Sequence, residues 1–372
     1  MKIAVNTRLL LKNKLDGIGW FTFEIFKRVV KKHPEHEFYF LFDRKYYDEF
    51  IFADNVKPVI ISPPTRHPVL WYLWFEYRIP KVLKKIKADI FISPDGFLSL
   101  NAKIKSISVI HDINFVHFPK DLPFSSNIFY NYFFPRYAKK AKQIVTVSNY
   151  SKQDIVNTYK INSNKITVVY NGANEIYKPI EKNEISVIKE KYTNNDDYFI
   201  FIGSLHPRKN IANTLKAFDL FCSKINKNFK LIIVGSKFFK TKDIKIVFDK
   251  MKYKNNVKFL GRLEPEEIRH LISASKALLL ISKFEGFGIP VIEAMNCDIP
   301  SIVSDVSSLP EVAGNAAIYA DPYSIESISD AMLQIVNDKK LRAELIENSK
   351  TIRKKYSWDK SAEEFWRVIE SL

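Results

Sequence analysis

From residue 1 to about 170, short apolar runs alternate with longer, partly amphipathic segments, the pattern of parallel strands joined by helices. The runs are IAVN (3–6), FYFLF (38–42), PVII (58–61), DIFIS (89–93), SISVI (106–110), QIVTVS (143–148) and ITVVY (166–170). A polar stretch, NGANEIYKPIEKNE (171–184), contains Gly172 and Pro179 and reads as a hinge. The alternation then restarts with FIFIG (199–203), LIIVG (231–235), VKFLG (257–261), ALLLIS (277–282), SIVS (301–304) and AAIYA (316–320). The pattern predicts an α/β protein of two doubly wound parallel-sheet domains, 1–177 and 178–355, with the boundary near Tyr177. SWDKSAEEFWRVIESL has a Ser/Asp start and helical spacing, which predicts a terminal helix over 356–372. Open α/β sheets bind ligands beyond the C-terminal ends of their strands, so the residues that follow each run are the candidates for chemistry.

A chain of 372 residues suits two such domains, and 46% apolar with 27% charged residues excludes disordered and fibrous classes. No apolar run reaches the roughly 18 residues of a membrane span, and MKIAVNTRLL reads as a strand rather than a signal peptide. Cys222 and Cys297 lie in apolar segments without a CxxC or a histidine cluster, which points to a reducing cytoplasm and no structural zinc. The charge is uneven: 28 basic against 15 acidic side chains over 1–178, and 30 against 26 over 179–372. A preference for lysine codons, 46 Lys against 12 Arg, explains the choice of cation but not the missing acids. An anionic partner explains the missing acids: nucleic acid, a phospholipid surface or a phosphate-bearing substrate.

Candidate chemistry follows the strands. In FEGFGIPVIEAM, Gly286 and Gly288 allow a tight turn around Phe287 into a helix that accepts Pro290 in its first turn. Glu285 then lies in the loop and Glu293 about one turn into the helix, bracketing a helix N-terminus suited to a diphosphate. In FIGSLHPRKN, Gly203 ends a strand and Arg208 and Lys209 precede a helix starting near Ile211, forming a second anion site beside His206. Gly17 and Gly19 in LDGIGWF place a glycine loop between the first strand and helix, which is either turn punctuation or a close approach to a phosphate. His111 and Asp112 follow SISVI, where a histidine can bind a sugar hydroxyl or a developing charge and an aspartate can accept from an acceptor hydroxyl; a local loop-shaping pair is the alternative. Asp95 in SPDGFLSL also follows a strand.

These segments resemble the retaining GT-B glycosyltransferases, particularly family 4. FEGFGIPVIEAM is similar to that family's E-x7-E motif, SIVSDVSSLPEVAGNAAIYADP to its continuation, FIGSLHPRKN to its G-x(n)-R-K pattern, and LDGIGWF to its glycine loop. The resemblance implies two Rossmann-like domains facing a cleft, with the terminal helix crossing back to the first. It implies that Glu285 contacts donor-sugar hydroxyls, Glu293 the nucleotide ribose, and Arg208 and Lys209 the pyrophosphate, with Gly17, Gly19, Gly203, Gly286, Phe287 and Gly288 lining the donor and His111 close to the sugar. Asp95 and Asp112 fall on the acceptor side. Transfer of a hexose to a hydroxyl with retention follows, without a cofactor beyond the nucleotide-sugar: GDP-mannose is favoured, a UDP-hexose is the alternative. No DxD triplet occurs, which agrees with metal-independent chemistry. Where the family commonly has glycine before the next strand, this chain has Asp298 in AMNCDIP.

The look of the whole chain is closest to enzymes that build bacterial surface polysaccharide, which implies a glycan or polyprenyl-diphosphate-linked acceptor. VLWYLWFEYRIPKVLKKIK (69–87) and SSNIFYNYFFPRYAKKAK (125–142) mix aromatic and basic residues, so peripheral contact with an anionic inner leaflet competes with plain core packing. A soluble acceptor is a rival reading. A non-catalytic nucleic-acid binder would explain the charge but not the phosphate-type loops in both halves, so no nucleic-acid partner is expected.

Overall fold

The computed structural model describes residues 1–236 and 242–372. Every predicted strand forms within it; the central runs are buried on both faces as parallel strands require, while the edge strands Val56–Ile60 and Val257–Gly261 are partly exposed. The first sheet contains β1 (Lys2–Asn6), β2 (Glu37–Phe42), β3 (Val56–Ile60), β4 (Ile90–Ser93), β5 (Lys105–Val109), β6 (Gln143–Thr146) and β7 (Ile166–Val168), all parallel, in the order β3-β2-β1-β4-β5-β6-β7. The second contains β8 (Asp197–Ile202), β9 (Phe229–Val234), β10 (Val257–Gly261), β11 (Ala277–Leu280), β12 (Ser301–Ser304) and β13 (Ala317–Ala320), parallel in the order β10-β9-β8-β11-β12-β13. The order reverses between β1 and β4 in one sheet and between β8 and β11 in the other. Loops leaving those strands therefore diverge to opposite faces and leave a crevice between them.

The chain divides into two compact units, one of 1–171 with 358–372 and one of 172–357. The division falls a few residues before Tyr177, whose ring is buried in the second unit. The last helix, Trp358–Glu370, belongs to the first unit and packs on the helix Gly17–Lys32. Phe365 meets Phe26 edge-on at 5.7 Å between ring centres, and Trp358 meets Phe21 at 6.2 Å. Arg28 Nε donates to Asp359 at 2.7 Å, and Lys32 Nζ to Glu363 at 2.9 Å.

The aromatic segments of the first unit divide their faces. Trp74, Phe75, Phe129, Phe134 and Tyr137 are buried around Phe97 and pack the helices onto the sheet. Val69, Tyr72, Leu73, Tyr77, Phe124, Ile128 and Tyr132 are exposed on the same helices. Core packing thus applies to the first set of residues, and the second set faces outward. Among the described residues, no helix is long and apolar enough to cross a membrane.

Candidate active site

In the second unit, Lys209 and Glu285 come from opposite sides of the reversal in strand order. His206–Asn210 leaves β8, and Ser282–Gly288 leaves β11. The two loops are tied by the main chain, with Lys283 N donating to Arg208 O at 2.8 Å. The Glu285 side chain is buried and takes three donors: Lys209 Nζ at 2.5 Å and Ser282 Oγ at 2.6 Å on Oε1, and Arg208 Nη1 at 3.1 Å on Oε2. Burial alone would raise this carboxyl's pKa, but the charges of Lys209 and Arg208 overcome it and hold it down at about 2. The result is a desolvated cluster of two cations and one carboxylate, with one positive charge in excess.

Neighbouring hydrogen bonds fix the cluster. Ser307 Oγ accepts the Glu285 N–H at 3.0 Å, and Ser308 Oγ lies 2.9 Å from the Glu285 carbonyl and 3.2 Å from that of Phe287. Arg208 Nη1 also donates to the Phe284 carbonyl at 2.9 Å, and buried His206 accepts the Arg208 N–H on Nδ1 at 3.3 Å. Asn210, in the left-handed conformation with φ +60°, ends the turn and donates to Pro322 O at 2.6 Å. The sharp entry into the helix Ile289–Asn296 depends on Gly288, whose φ is +102° and whose Cβ, if present, would lie 2.7 Å from Leu309 Cδ2. Gly235, after β9, faces the Gly203 carbonyl so closely that a Cβ would sit 1.8 Å from its oxygen.

Glu293 points away from these cations to a different partner. It is hydrogen-bonded to Tyr177, and burial pushes its carboxyl up to about 7 while that bond pulls the other way. Tyr177 is itself pushed up, by burial first and then by Glu293. Asp298 takes a left-handed φ of +54°, the geometry for which glycine is favoured, and tolerates it because Arg353 Nη1 pairs with its Oδ1 at 2.7 Å and with Met295 O at 2.6 Å. The unusual aspartate is thus anchored to Arg353, at the C-terminal end of the helix Lys339–Ile352.

In the first unit, Gly17 opens its helix and Gly19 lies in the first turn, where its N–H is capped by Asp16 Oδ1 at 2.9 Å. His111 Nε2 lies 2.8 Å from the Pro94 carbonyl, an acceptor only, so this nitrogen carries the proton and donates. Burial lowers the His111 pKa, against the opposing effect of that bond, and the imidazole is neutral with Nδ1 as an acceptor. It is therefore suited to receiving a hydroxyl proton and not to donating to a developing charge. Asp112 caps the turn Asn114–His117 through the Asn114 N–H at 3.0 Å. Asp95 is occupied: Arg8 Nε reaches Oδ2 at 2.6 Å, while Asn6 Nδ2 at 2.9 Å and Ser93 Oγ at 3.0 Å take Oδ1. Arg8 in turn lies 4.2 Å over the Phe97 ring and donates to Thr65. Asp95 thereby braces the reversal between β1 and β4.

Comparisons with known proteins match these halves separately. Residues 15–175 match the model of Glycosyltransferase Family 4, and residues 182–352 that of Glycosyl transferases group 1. The chain belongs to the glycosyltransferases of this group. It is 26% identical over 370 residues to the O-antigen chain mannosyltransferase B of Escherichia coli, covering 96% of this chain and 97% of that one. To the O-antigen chain mannosyltransferase RfbU of Salmonella typhimurium it is 29% identical over 294 residues, 78% of each chain. Anabaena HepE in complex with UDP-glucose superposes with a TM-score of 0.77 at 17% identity over the full length of both chains, a likeness of fold.

Sequence reasoning about this glycosyltransferase missed Arg8, Ser282, Ser307 and Tyr177. Arg8 and Ser282 carried a usable signal, since each directly follows a strand beside the reversal. Ser307 and Tyr177 carried none, because their partners are 22 and 116 residues away and only the folded chain brings them together.

Proposed function

We propose that this glycosyltransferase moves a hexose, with mannose favoured, from a nucleotide-sugar to a glycan or polyprenyl-diphosphate-linked acceptor in surface-polysaccharide synthesis, with retention. The observation that carries the reading is the Lys209–Glu285–Arg208 cluster at the strand reversal, a preorganised set of cations whose excess positive charge suits a diphosphate. The near full-length match to an O-antigen mannosyltransferase favours GDP-mannose, and the fold shared with a UDP-glucose complex keeps a UDP-hexose as second reading.

In the proposed step the acceptor oxygen attacks the anomeric carbon from the face the leaving group departs. The bond from that carbon to the diphosphate oxygen breaks, and the acceptor proton passes to the diphosphate. Arg208 and Lys209 stabilise the departing charge, the largest contribution the protein makes. Glu285 orients sugar hydroxyls, neutral His111 accepts from one through Nδ1, and Glu293 holds the ribose. A thermal-shift screen of GDP-mannose, UDP-glucose, ADP-glucose and dTDP-glucose tests the donor. GDP-mannose is expected to raise the melting temperature most; a rise with none of them overturns the reading.

Peripheral membrane contact belongs to the same proposal. The exposed Phe124, Ile128, Tyr132, Tyr72 and Tyr77, with Arg78 and Arg136 beside them, suit the headgroup boundary of an anionic leaflet. Cosedimentation with vesicles rich in anionic lipid is expected for the wild type, and membrane affinity should fall by roughly 30-fold or more for Phe124→Ser/Ile128→Ser, each substitution removing apolar area worth roughly 1–2 kcal/mol on insertion. Equal sedimentation of the two proteins would count against this surface.

A further inference from the structure

At the edge of the first sheet where the strands begin, away from the strand ends that carry the candidate chemistry, lies an open basin of about 660 Å³. Lys103, Lys105, Lys140, Lys142 and Lys165 line it with Ser106, and among the described residues no acidic side chain does. The topology gathers them. Lys105 begins β5, Lys142 precedes β6 and Lys165 precedes β7, three neighbouring parallel strands whose starts lie at steps of roughly 5 Å. The main chain ties the steps together, with Lys142 N donating to Ser106 O at 2.8 Å.

Lysines at helix C-termini complement the helix dipole, which accounts for Lys140 at the end of Phe124–Lys140. It does not account for Lys103, Lys105 or Lys142, which lie in no helix. Nor, among the described residues, do nearby side-chain anions explain the group. The oxygens of buried Glu76, which senses Lys140, are taken by the main-chain N–H groups of Leu100 and Asn101. Lys165 Nζ donates to the Lys139 carbonyl at 2.7 Å, and Lys105 Nζ to the Leu372 main-chain oxygen. Burial first, and the charge of Lys142 second, press Lys165 toward losing its proton. Five like charges held in one hollow repel one another, and a single acid would relieve them; an external anion does so as well. Ammonium groups on flexible stems, rather than the forked guanidinium of arginine, suit a ligand with several adjacent charges and no fixed plane.

We propose that this basin binds a multiply charged phosphate, either free in solution as a di- or triphosphate chain or borne on a lipid headgroup. Within the first unit it is separate from the candidate donor residues: its lysines lie where the strands begin, whereas His111 follows the end of β5 and Gly17 and Gly19 follow the end of β1. The full chain is titrated by calorimetry with inorganic tripolyphosphate, and in parallel sedimented with phosphatidylcholine vesicles with and without phosphatidic acid. Binding in either arm is expected, and the arm that binds identifies the source. Lys103→Gln/Lys142→Gln is expected to weaken that binding about tenfold, since it removes two of the five charges that meet the phosphate. The control Lys182→Gln/Lys258→Gln, which removes the same charge from exposed sites in the second unit, should bind as the wild type does. The melting-temperature response to GDP-mannose should be the same in both variants, which separates this site from the donor. Absence of binding in both arms overturns the proposal, and so does an equal loss in the two double variants, which would assign the effect to net charge.

Discussion

Lys209→Ala is expected to lower turnover by a factor on the order of 10² or more, the scale for loss of one preorganised charge at a developing anion. The structure adds a second expected effect. Lys209 is the closest cation to a buried carboxylate, and removing it leaves Glu285 with Arg208 and Ser282 alone, so a part of the roughly 3 kcal/mol cost of breaking a buried pair is expected. The single variant should therefore fold but melt at a lower temperature. In Lys209→Ala/Glu285→Gln it is Arg208 that loses its carboxylate, so neither the melting temperature nor turnover should recover to the wild-type value. Calorimetric melting and initial rates on the three proteins decide the matter. Near wild-type turnover in a pure Lys209→Ala preparation would remove the lysine from the proposed mechanism.

Glu293→Gln is expected to stabilise the protein and impair it at once. In the folded chain the Glu293 carboxyl titrates at about 7, well above its ordinary range, because burial penalises its charge. The native state thus holds this proton more tightly than the unfolded chain between about pH 4.3 and 7. Stability from this group is complete below that window, falls as pH rises through it, and is reduced by up to roughly 3 kcal/mol above it. The glutamine variant escapes the loss, so it should melt higher than the wild type at pH 8 and close to it at pH 5. Ribose hydroxyls donate best to the charged carboxylate, so wild-type affinity for GDP-mannose should strengthen as pH rises from 6 to 7.5, by up to about tenfold per pH unit. In the variant that dependence should vanish and affinity should be lower throughout. Equal donor affinity in the two proteins at pH 8, by titration calorimetry, would refute the ribose assignment.

The architecture was largely legible in the sequence because parallel strands buried on both faces are written as uninterrupted apolar runs. LIIVG or ALLLIS needs no partner to be recognised. Strand order was not legible, yet order decides which loops share a crevice. Arg208, Lys209 and Glu285 could be nominated from turn chemistry and family resemblance; their mutual hydrogen bonds required the fold. Asp95 illustrates the limit. It follows a strand as the others do, but the sequence held no sign that Arg8, Asn6 and Ser93 occupy its oxygens. Glu293 was expected as a ribose ligand, and only the structure shows Tyr177 beside it.

The two reversals of strand order are built alike. In each unit a cation from the loop after one strand grips a carboxylate from the loop after the next: Arg8 with Asp95 at 2.6 Å, and Lys209 with Glu285 at 2.5 Å. They differ in what surrounds the grip. Around Asp95 the remaining acceptors are filled by Asn6 and Ser93, and aromatic rings lie over the guanidinium, so the first is a rivet. Around Glu285 stand two cations for one carboxylate, so the second grip keeps a positive charge to spare where the first has none.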